Sequence, residues 1–150
     1  MKKMKYVVVF LLLNIHLAAQ TPKGVTAASA GYVVESYYRV QWGHQQEFLQ
    51  LYFRNYYPLI VKSIESGRVL SATVETPANH MTEDSRWDYR VTVRFRDSTA
   101  ATTTNPKEAS WILQLWPNQE TYKREEQRRF EVLVAHWDIA VVEVAPTDVK

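Results

Sequence analysis

Two stretches of strictly alternating side chains constrain the fold of this 150-residue chain more than any other feature. Along residues 32–42 and again along residues 87–97, aromatic and β-branched side chains occupy alternate positions, and charged side chains gather at the positions between. Successive side chains on a β-strand point to opposite faces, so a period of two predicts two strands, each with an apolar and a charged face. The predicted apolar faces are Tyr32, Val34, Ser36, Tyr38, Val40 and Trp42 on the first strand, and Trp87, Tyr89, Val91, Val93 and Phe95 on the other.

Residues 44–67, between these strands, carry apolar side chains at three- and four-residue steps, which is typical of an amphipathic helix. Pro58 lies inside this segment. Proline has no N–H group and disfavours helical backbone in the residue before it. We therefore expect a kink there, or a second short helix with Pro58 in its first turn. Gly67 is the predicted C-terminal stop.

The rest of the chain adds two strands and a second helical region. The predicted elements are a strand over 68–76, a polar loop over 77–86, a Thr- and Ala-rich loop over 98–105, a short helix over 106–116, a longer helix over 117–136 and a strand over 137–145. Asn118 is the predicted N-cap of the longer helix. The expected inward side chains are Leu70, Ala72 and Val74 on the strand, Ala109, Ile112, Leu113 and Trp116 on the short helix, and Tyr122, Phe130, Leu133 and Val134 on the longer one.

The predicted order is strand, helix, strand, strand, helix, strand. Its simplest packing is an α+β, ferredoxin-like βαββαβ fold, with one four-stranded antiparallel sheet and the helices on one face. In this topology the first and third strands are central neighbours, and their charged faces lie on the side away from the helices. We expect a single domain over residues 32–146.

The first residues have the order of a secretory signal peptide. Lys2, Lys3 and Lys5 precede an apolar run over residues 6–13, and small residues follow at Ala18 and Ala19. This run is far shorter than the roughly 20 apolar residues that a membrane span needs. We predict cleavage after residue 19, a flexible tether over 20–31, and a secreted or periplasmic protein with no membrane anchor.

Charge and cysteine content exclude several classes of partner and scaffold. The whole chain has 18 Lys and Arg and 16 Asp and Glu residues, but three lysines lie in the leader, so 15 basic residues remain and the mature net charge is −1. This balance predicts no nucleic-acid partner. The chain has no cysteine, so an ordinary apolar core must stabilise it.

A few motifs resemble the dimeric α+β barrel superfamily, and most closely its NIPSNAP-like and EthD-like branches. They are Trp42-Gly43 at a strand end, Glu47-Phe48 in the following helix, Tyr57-Pro58 late in that helix, and Gly67 before the second strand. The resemblance spans roughly residues 31–145. It implies a homodimer with two sheets face to face, and a pocket between sheet and helices or inside the barrel. Members include cofactor-free monooxygenases, haem-handling proteins and isomerases, so the resemblance implies a fold and no single activity. Residues 98–116 depart from the compact family pattern.

The charged face of the central strands is the predicted ligand site. Its residues are Glu35, Tyr37, Arg39, Arg90 and Arg94, which Glu143 on the last strand is expected to join. Charges covered by another sheet must pair or meet a ligand. Arginines suit a carboxylate, enolate or phosphate, with Glu35 as a base and Tyr37 as a donor. The competing interpretation is a solvated face, or a charge ladder at a dimer interface.

His80 is a loop candidate, because residues 77–81 could fold over a cavity. His44 and His136 are predicted at a helix start and a helix end, which are ordinary places for exposed histidines. Every histidine is alone in the sequence, without metal-ligand spacing, so we predict no metal and no cofactor.

Two functions remain open. The first is a secreted homodimeric domain that binds a small molecule or is purely structural. The alternative is a cofactor-independent monooxygenase or isomerase that acts on a small anionic or aromatic substrate. An enclosed cavity of about 300 Å³ or more beside Arg94 would favour a ligand, whereas a flat or aromatic-filled face would favour the structural role.

Overall fold

The computed structural model describes residues 31–142 and Val144, and the statements below concern this part of the chain. It contains four strands: β1 (Tyr32–Val40), β2 (Val69–Glu75), β3 (Tyr89–Phe95) and β4 (Leu133–Val141). They form one antiparallel sheet in the order β2-β3-β1-β4. The predicted α+β ferredoxin-like fold is therefore confirmed, with the first and third strands as central neighbours. The predicted leader, the tether up to residue 30 and Glu143 lie outside the described residues.

Five helices connect the strands. They are α1 (Gln45–Asn55), α2 (Tyr57–Glu65), α3 (Ser98–Thr102), α4 (Glu108–Leu115) and α5 (Gln119–Glu131), with a single 3₁₀ turn at Glu83–Ser85. Pro58 lies in the first turn of α2, so the predicted second short helix is the arrangement that forms. Proline suits that position because the first helical N–H groups have no intrahelical acceptor. Gly67 follows with a φ of 73°, a conformation that favours glycine.

The core lies between the helices and the apolar face of the sheet. Its buried cluster comprises Tyr38, Val40, Phe48, Tyr52, Ile60, Val91 and Val132. The two predicted alternating segments supply three of these side chains, which confirms that the apolar sides of β1 and β3 face the helices, whereas Trp42 lies beyond the end of β1 and is 71% exposed instead of inward. None of the described helices is long and apolar enough to cross a membrane.

The predicted inward face of β2 is wrong at Leu70, because the strand contains a β-bulge. Val69 pairs with Phe95 and Ser71 pairs with Arg94, so Leu70 has no partner on β3. The extra residue shifts the alternation by one position. Val69 is therefore buried and Leu70 is exposed, whereas Ala72 and Val74 pack on the core as predicted.

Residues 98–105 were predicted as a loop, and this is partly wrong because α3 forms there. The Oδ1 atom of Asp97 accepts a hydrogen bond of 2.7 Å from the backbone N–H of Ala100 and so caps the first turn. Ala100 is buried. The predicted short helix is confirmed as α4, although its Ala109 and Leu113 are exposed instead of inward.

The predicted boundary between the last helix and strand is wrong. Asn118 caps α5 as predicted, since its Oδ1 accepts from the N–H of Thr121 at 3.0 Å. However, α5 ends at Glu131 and β4 begins at Leu133. Pairing with β1 overrides the helical pattern here. Phe130 and Val134 are consequently 55% exposed, and His136 is a strand residue.

An ion pair at the start of β3 explains why Trp87 does not follow the predicted face. The Arg86 guanidinium is buried, donates to both Asp88 oxygens at 2.8 Å and donates to the Val40 carbonyl at 3.1 Å. Asp88 Oδ2 in turn accepts from the N–H of Val40 at 2.7 Å. This clamp ends the regular pairing before Tyr89, and the Trp87 ring meets Tyr37 on the charged side of the sheet.

We predict that Asp88→Ala lowers the free energy of unfolding by about 3 kcal/mol, because the buried Arg86 guanidinium then keeps only the exposed Glu83 carboxylate, 3.2 Å from its Nε. The Arg86 and Asp88 side chains are only 7% and 11% exposed. Urea unfolding followed by circular dichroism measures the change. Arg96→Ala is the matched control, since it breaks the exposed Arg96–Asp97 pair and should cost less than about 1 kcal/mol. Equal losses in the two variants would contradict the clamp.

Candidate functional site

The sheet has two faces that can be compared as candidate sites. The open face, away from the helices, carries Glu35, Tyr37 and Arg39 of β1, with Arg90 and Arg94 of β3. The helix face carries the other side chains of the same strands. The register therefore places five of the predicted site residues on one surface, as expected.

On the open face, Glu35, Tyr37 and Arg90 form one hydrogen-bonded group. The Tyr37 hydroxyl donates to Glu35 Oε2 at 2.5 Å, and Arg90 Nη1 lies 3.7 Å from Glu35 Oε1. Arg90 also donates through Nε to Glu75 Oε2 at 2.9 Å. The hydrogen bond to Glu35 raises the pKa of the Tyr37 phenol. Glu75 belongs to β2 and was missed because its strand was read only for its apolar side.

Arg39 and Arg94 do not join this group. The Nη1 atom of Arg39 donates to the Glu83 carbonyl oxygen at 3.2 Å. Arg94 is exposed, and among the described residues its guanidinium has no hydrogen-bond or ion-pair partner. The carboxylates of the open face thus pair with Arg90 across neighbouring strands, as in the predicted charge ladder. A ligand role for these residues stays a prediction.

Aromatic rings cover the part of the open face nearest β4. Tyr37 stacks on Trp137 with ring centroids 5.3 Å apart and nearly parallel planes, and Trp87 meets Tyr37 edge-on at 5.6 Å. Ile139 and Val141 continue this surface along β4 and are partly exposed. This half of the open face is apolar.

His80 lies apart from both groups. It lines a smaller cavity of about 220 Å³ together with Trp42, Met81, Arg86 and Trp87. The loop thus borders a cavity, as the sequence suggested, but a different one from the charged face. The Arg86 guanidinium, 4.2 Å from the centroid of the Trp42 ring, covers one face of that ring.

A cavity of about 470 Å³ lies on the helix face. Its floor is formed by side chains of all four strands or their ends, and its walls by α2 and the α3–α4 segment. The lining includes Val34, Leu59, Ile60, Val69, Val93 and Phe95 as apolar groups, and Ser36, Tyr38, Tyr56, Arg68, Asn105, Glu108, His136 and Asp138 as polar groups. Of the predicted ligand-binding residues that the structure describes, none lines it. Residues 98–116, which depart from the compact family pattern, supply one wall.

Four polar side chains meet at the β1–β4 side of this cavity. The register sets Ser36 opposite Asp138 and Tyr38 opposite His136. The Ser36 hydroxyl donates to Asp138 Oδ1 at 2.5 Å, and His136 Nε2 lies 3.4 Å from the same oxygen. The imidazole stacks on the Tyr38 ring with centroids 4.5 Å apart and planes 9° from parallel. We call these four residues the strand cluster.

The two phenols of the cavity are held neutral. Burial raises the pKa of Tyr38. Partial burial also raises the pKa of Tyr56, and the negative charge of the nearby Glu108 carboxylate is the second cause. Among the described residues, neither hydroxyl donates a hydrogen bond. Both are therefore available as neutral donors to a bound molecule.

Arg68 and Asn105 lie at the opposite edge of the cavity. Arg68 donates to the Thr103 carbonyl oxygen, which ties the start of β2 to the end of α3. The Nδ2 atom of Asn105 is buried and has no partner among the described residues, while its Oδ1 accepts from the N–H of Lys107 at 3.1 Å. A buried amide without an acceptor is costly, so this atom suits an acceptor on a bound molecule.

The strand cluster contains serine, histidine and aspartate, yet it is not a nucleophilic triad. In a triad the imidazole contacts the serine hydroxyl and takes its proton. Here both Ser36 and His136 contact the carboxylate of Asp138, so the hydroxyl is not activated. No group of three or more His, Cys, Asp or Glu side chains within residues 31–142 could hold a metal ion.

Sequence reasoning missed the strand cluster because it placed His136 in the preceding helix. The alternation of residues 133–141 was the available signal, since it sets His136 and Asp138 two positions apart on one face of a strand. No sequence pattern predicted the cavity itself, because its walls, α2 and the α3–α4 segment, are far apart in the sequence.

The sequence matches no protein-family model and no curated protein. Solved structures are similar in fold. A dimeric ferredoxin-like protein from an uncultured marine organism is 5% identical with a TM-score of 0.46, covering 77% of this chain and 91% of its own. An uncharacterised NIPSNAP domain protein from Burkholderia xenovorans is 13% identical with a TM-score of 0.43, covering 77% and 96%.

A dabb family protein from Mesorhizobium loti with a ferredoxin-like fold is 10% identical with a TM-score of 0.40, covering 77% of this chain and 99% of its own. Each of these likenesses is one of fold.

Proposed function

We propose that this chain is a small-molecule-binding domain. Its ligand occupies the 470 Å³ cavity between the sheet, α2 and the α3–α4 segment. The observation that carries the proposal is the size and lining of this cavity. Ligand pockets are typically about 300–1,000 Å³, mostly apolar, with a few placed polar groups. The helix-face cavity has a volume in this range, and polar and apolar side chains line it in similar measure, whereas the charges of the open face pair with each other on an open surface.

Unused hydrogen-bonding groups support a ligand over an empty, purely structural space. Asn105 Nδ2 is buried and has no acceptor among the described residues, whereas the Asp138 side chain, 56% exposed, and the exposed Glu108 carboxylate can turn their free oxygens to water or to a ligand. A dry structural cavity would favour apolar lining throughout. The polar groups lie on opposite sides of an apolar middle, which suits an organic molecule with polar ends.

The open face supports a homodimer as the second part of this proposal. Trp137, Ile139 and Val141 present partly exposed apolar surface on an edge strand of the sheet. Arg90 and the carboxylates of Glu35 and Glu75 are already paired, so a second sheet can cover these three groups, while the exposed Arg94 would need a partner from the second copy or a place at the rim of the interface. We propose that a second copy of this chain packs on this face, and that the leader sends the protein out of the cytoplasm.

Filling the cavity should remove the ligand. We expect protein purified from its own host, or incubated with host metabolite extract, to retain a small molecule in native mass spectrometry. Ala101→Trp places a large ring in the cavity wall and should abolish retention, with Ser63→Phe as a second filling variant if the first does not fold.

Arg94→Ala is the matched control for this experiment, because Arg94 lies on the opposite face of the sheet and should leave retention unchanged. Ligand-free wild-type protein after incubation with the extract would contradict the proposal. Loss of the ligand in Arg94→Ala alone would place the site on the open face.

Introducing charge on the open face should separate the dimer. We expect wild-type protein to have the mass of two chains by size-exclusion chromatography with light scattering, and Ile139→Asp to have the mass of one, because a buried unpaired carboxylate is costly. Leu113→Asp, which changes an exposed apolar residue on α4, is the control and should remain dimeric. A monomeric wild-type protein would contradict the dimer.

The exported protein should begin at Gln20. Expression in a bacterial host with the native leader, followed by fractionation and intact-mass measurement, is expected to give a periplasmic or medium form that lacks residues 1–19. A full-length form retained in the cytoplasm would contradict the predicted leader.

A further inference from the structure

We propose that the helix-face cavity is a proton-transfer site for an enolisable ketone or aldehyde, with His136 as the base and the Tyr38 and Tyr56 hydroxyls as hydrogen-bond donors to the carbonyl oxygen. This inference rests on the proposed function and names the chemical class of the bound molecule. It assigns a role to the strand cluster, whose side chains lie outside the predicted charged site.

The position of Asp138 makes His136 a base with a defined tautomer. Asp138 Oδ1 lies 3.4 Å from His136 Nε2, and a carboxylate next to one ring nitrogen favours the proton on that nitrogen. The lone pair then resides on Nδ1, which has no hydrogen-bond partner among the described residues. Nδ1 is therefore the atom that can accept a proton.

Neighbouring contacts restrict the orientation of this base. The ring stacks on Tyr38, and the Ser36 hydroxyl fixes Asp138 through its 2.5 Å hydrogen bond. All four residues belong to two directly paired strands, which hold side chains more rigidly than loops do. Asp138 and Ser36 act through His136 and are positioning residues.

The donors suit a developing enolate oxygen. Raised pKa values keep the Tyr38 and Tyr56 phenols protonated near neutral pH, and neither hydroxyl donates a hydrogen bond to a described residue. Tyr38 is buried and Tyr56 is 38% exposed, and preorganised donors of this kind stabilise negative charge that forms on a carbonyl oxygen. The cavity therefore places a base and two neutral donors around one space.

The reaction balances without an oxidant or a cofactor. His136 Nδ1 takes a proton from the carbon next to the carbonyl, and the C–H electron pair becomes the C=C bond of the enolate. The carbonyl π electrons move to the oxygen, which accepts the phenol hydrogen bonds. If the proton on His136 first exchanges with solvent, its delivery to the same carbon replaces the original hydrogen by a solvent hydrogen, and delivery to a different carbon isomerises the molecule.

The charges of the cavity select a neutral carbonyl compound. Asp138 and Glu108 contribute two carboxylates, and Arg68, the guanidinium in the lining, already donates to the Thr103 carbonyl. An anionic molecule would meet like charges near His136, which disfavours binding. The anionic substrate expected for the open face therefore does not transfer to this cavity.

The test measures solvent-deuterium exchange into cyclohexanone and 1-indanone by ¹H NMR in D₂O, with the full chain lacking only its leader. We expect the wild-type protein to accelerate exchange at the carbon next to the carbonyl. His136→Asn should lower the protein-dependent rate about 100-fold, since general-base catalysis contributes about 10²–10⁴-fold. Asp138→Asn should lower it about 10-fold while ketone binding, followed by chemical-shift changes, is retained.

His44→Gln is the matched control, because His44 pairs with Glu47 at the start of α1 and should exchange like wild type. Ketone binding without accelerated exchange, or an equal rate in His136→Asn, would overturn the proton-transfer role and leave the ligand cavity standing. A retained host ligand combined with no ketone binding would overturn the substrate class. No ketone binding and no retained ligand would overturn this inference and the proposed function together.

Discussion

The central position of β1 is the constraint on which the rest of this structure depends. β1 pairs with β3 on one side and with β4 on the other, so its alternate side chains determine what both faces of the sheet can do. Ser36 and Tyr38 point to the helices, where they meet Asp138 and His136 across the β4 register. A one-residue slip of β4 would exchange the faces of every β4 side chain.

The polar groups on the two faces of the sheet are paired to different extents. On the open face, Glu35 and Glu75 both lie close to Arg90, so the charges are compensated within the sheet. On the helix face, Ser36 and His136 contact one carboxylate oxygen of Asp138, and the hydroxyls of Tyr38 and Tyr56 and one imidazole nitrogen remain without partners among the described residues. Unused groups beside an apolar cavity can recognise a molecule, whereas mutually paired groups mainly specify strand register and association.

Much of the fold was predictable from the sequence because alternation and helical spacing report burial directly. The paired strands β1 and β3, the break at Pro58 and the Asn118 cap all follow from local patterns of this kind. The errors lie where tertiary contacts override them: the bulge at Leu70, the Asp97 cap of α3, and the early end of α5 where β4 pairs with β1.

The candidate site was less predictable than the fold. Charged residues on alternate positions drew attention to the open face, and the register does place Glu35, Tyr37 and Arg90 together. The cavity instead depends on the α3–α4 segment covering the sheet, and no periodicity describes that packing. The ligand site is therefore proposed on the helix face instead of the charged open face, because tertiary packing forms the cavity there.

The most direct measurement of the central claim is a crystal structure of the protein purified with its retained ligand or soaked with 1-indanone. The account predicts electron density for the molecule in the helix-face cavity, with its carbonyl oxygen within hydrogen-bond distance of Tyr38 or Tyr56 and His136 Nδ1 facing the adjacent carbon. Density on the open face beside Arg90 and Arg94, or a cavity closed by inward movement of α3 and α4, would contradict it.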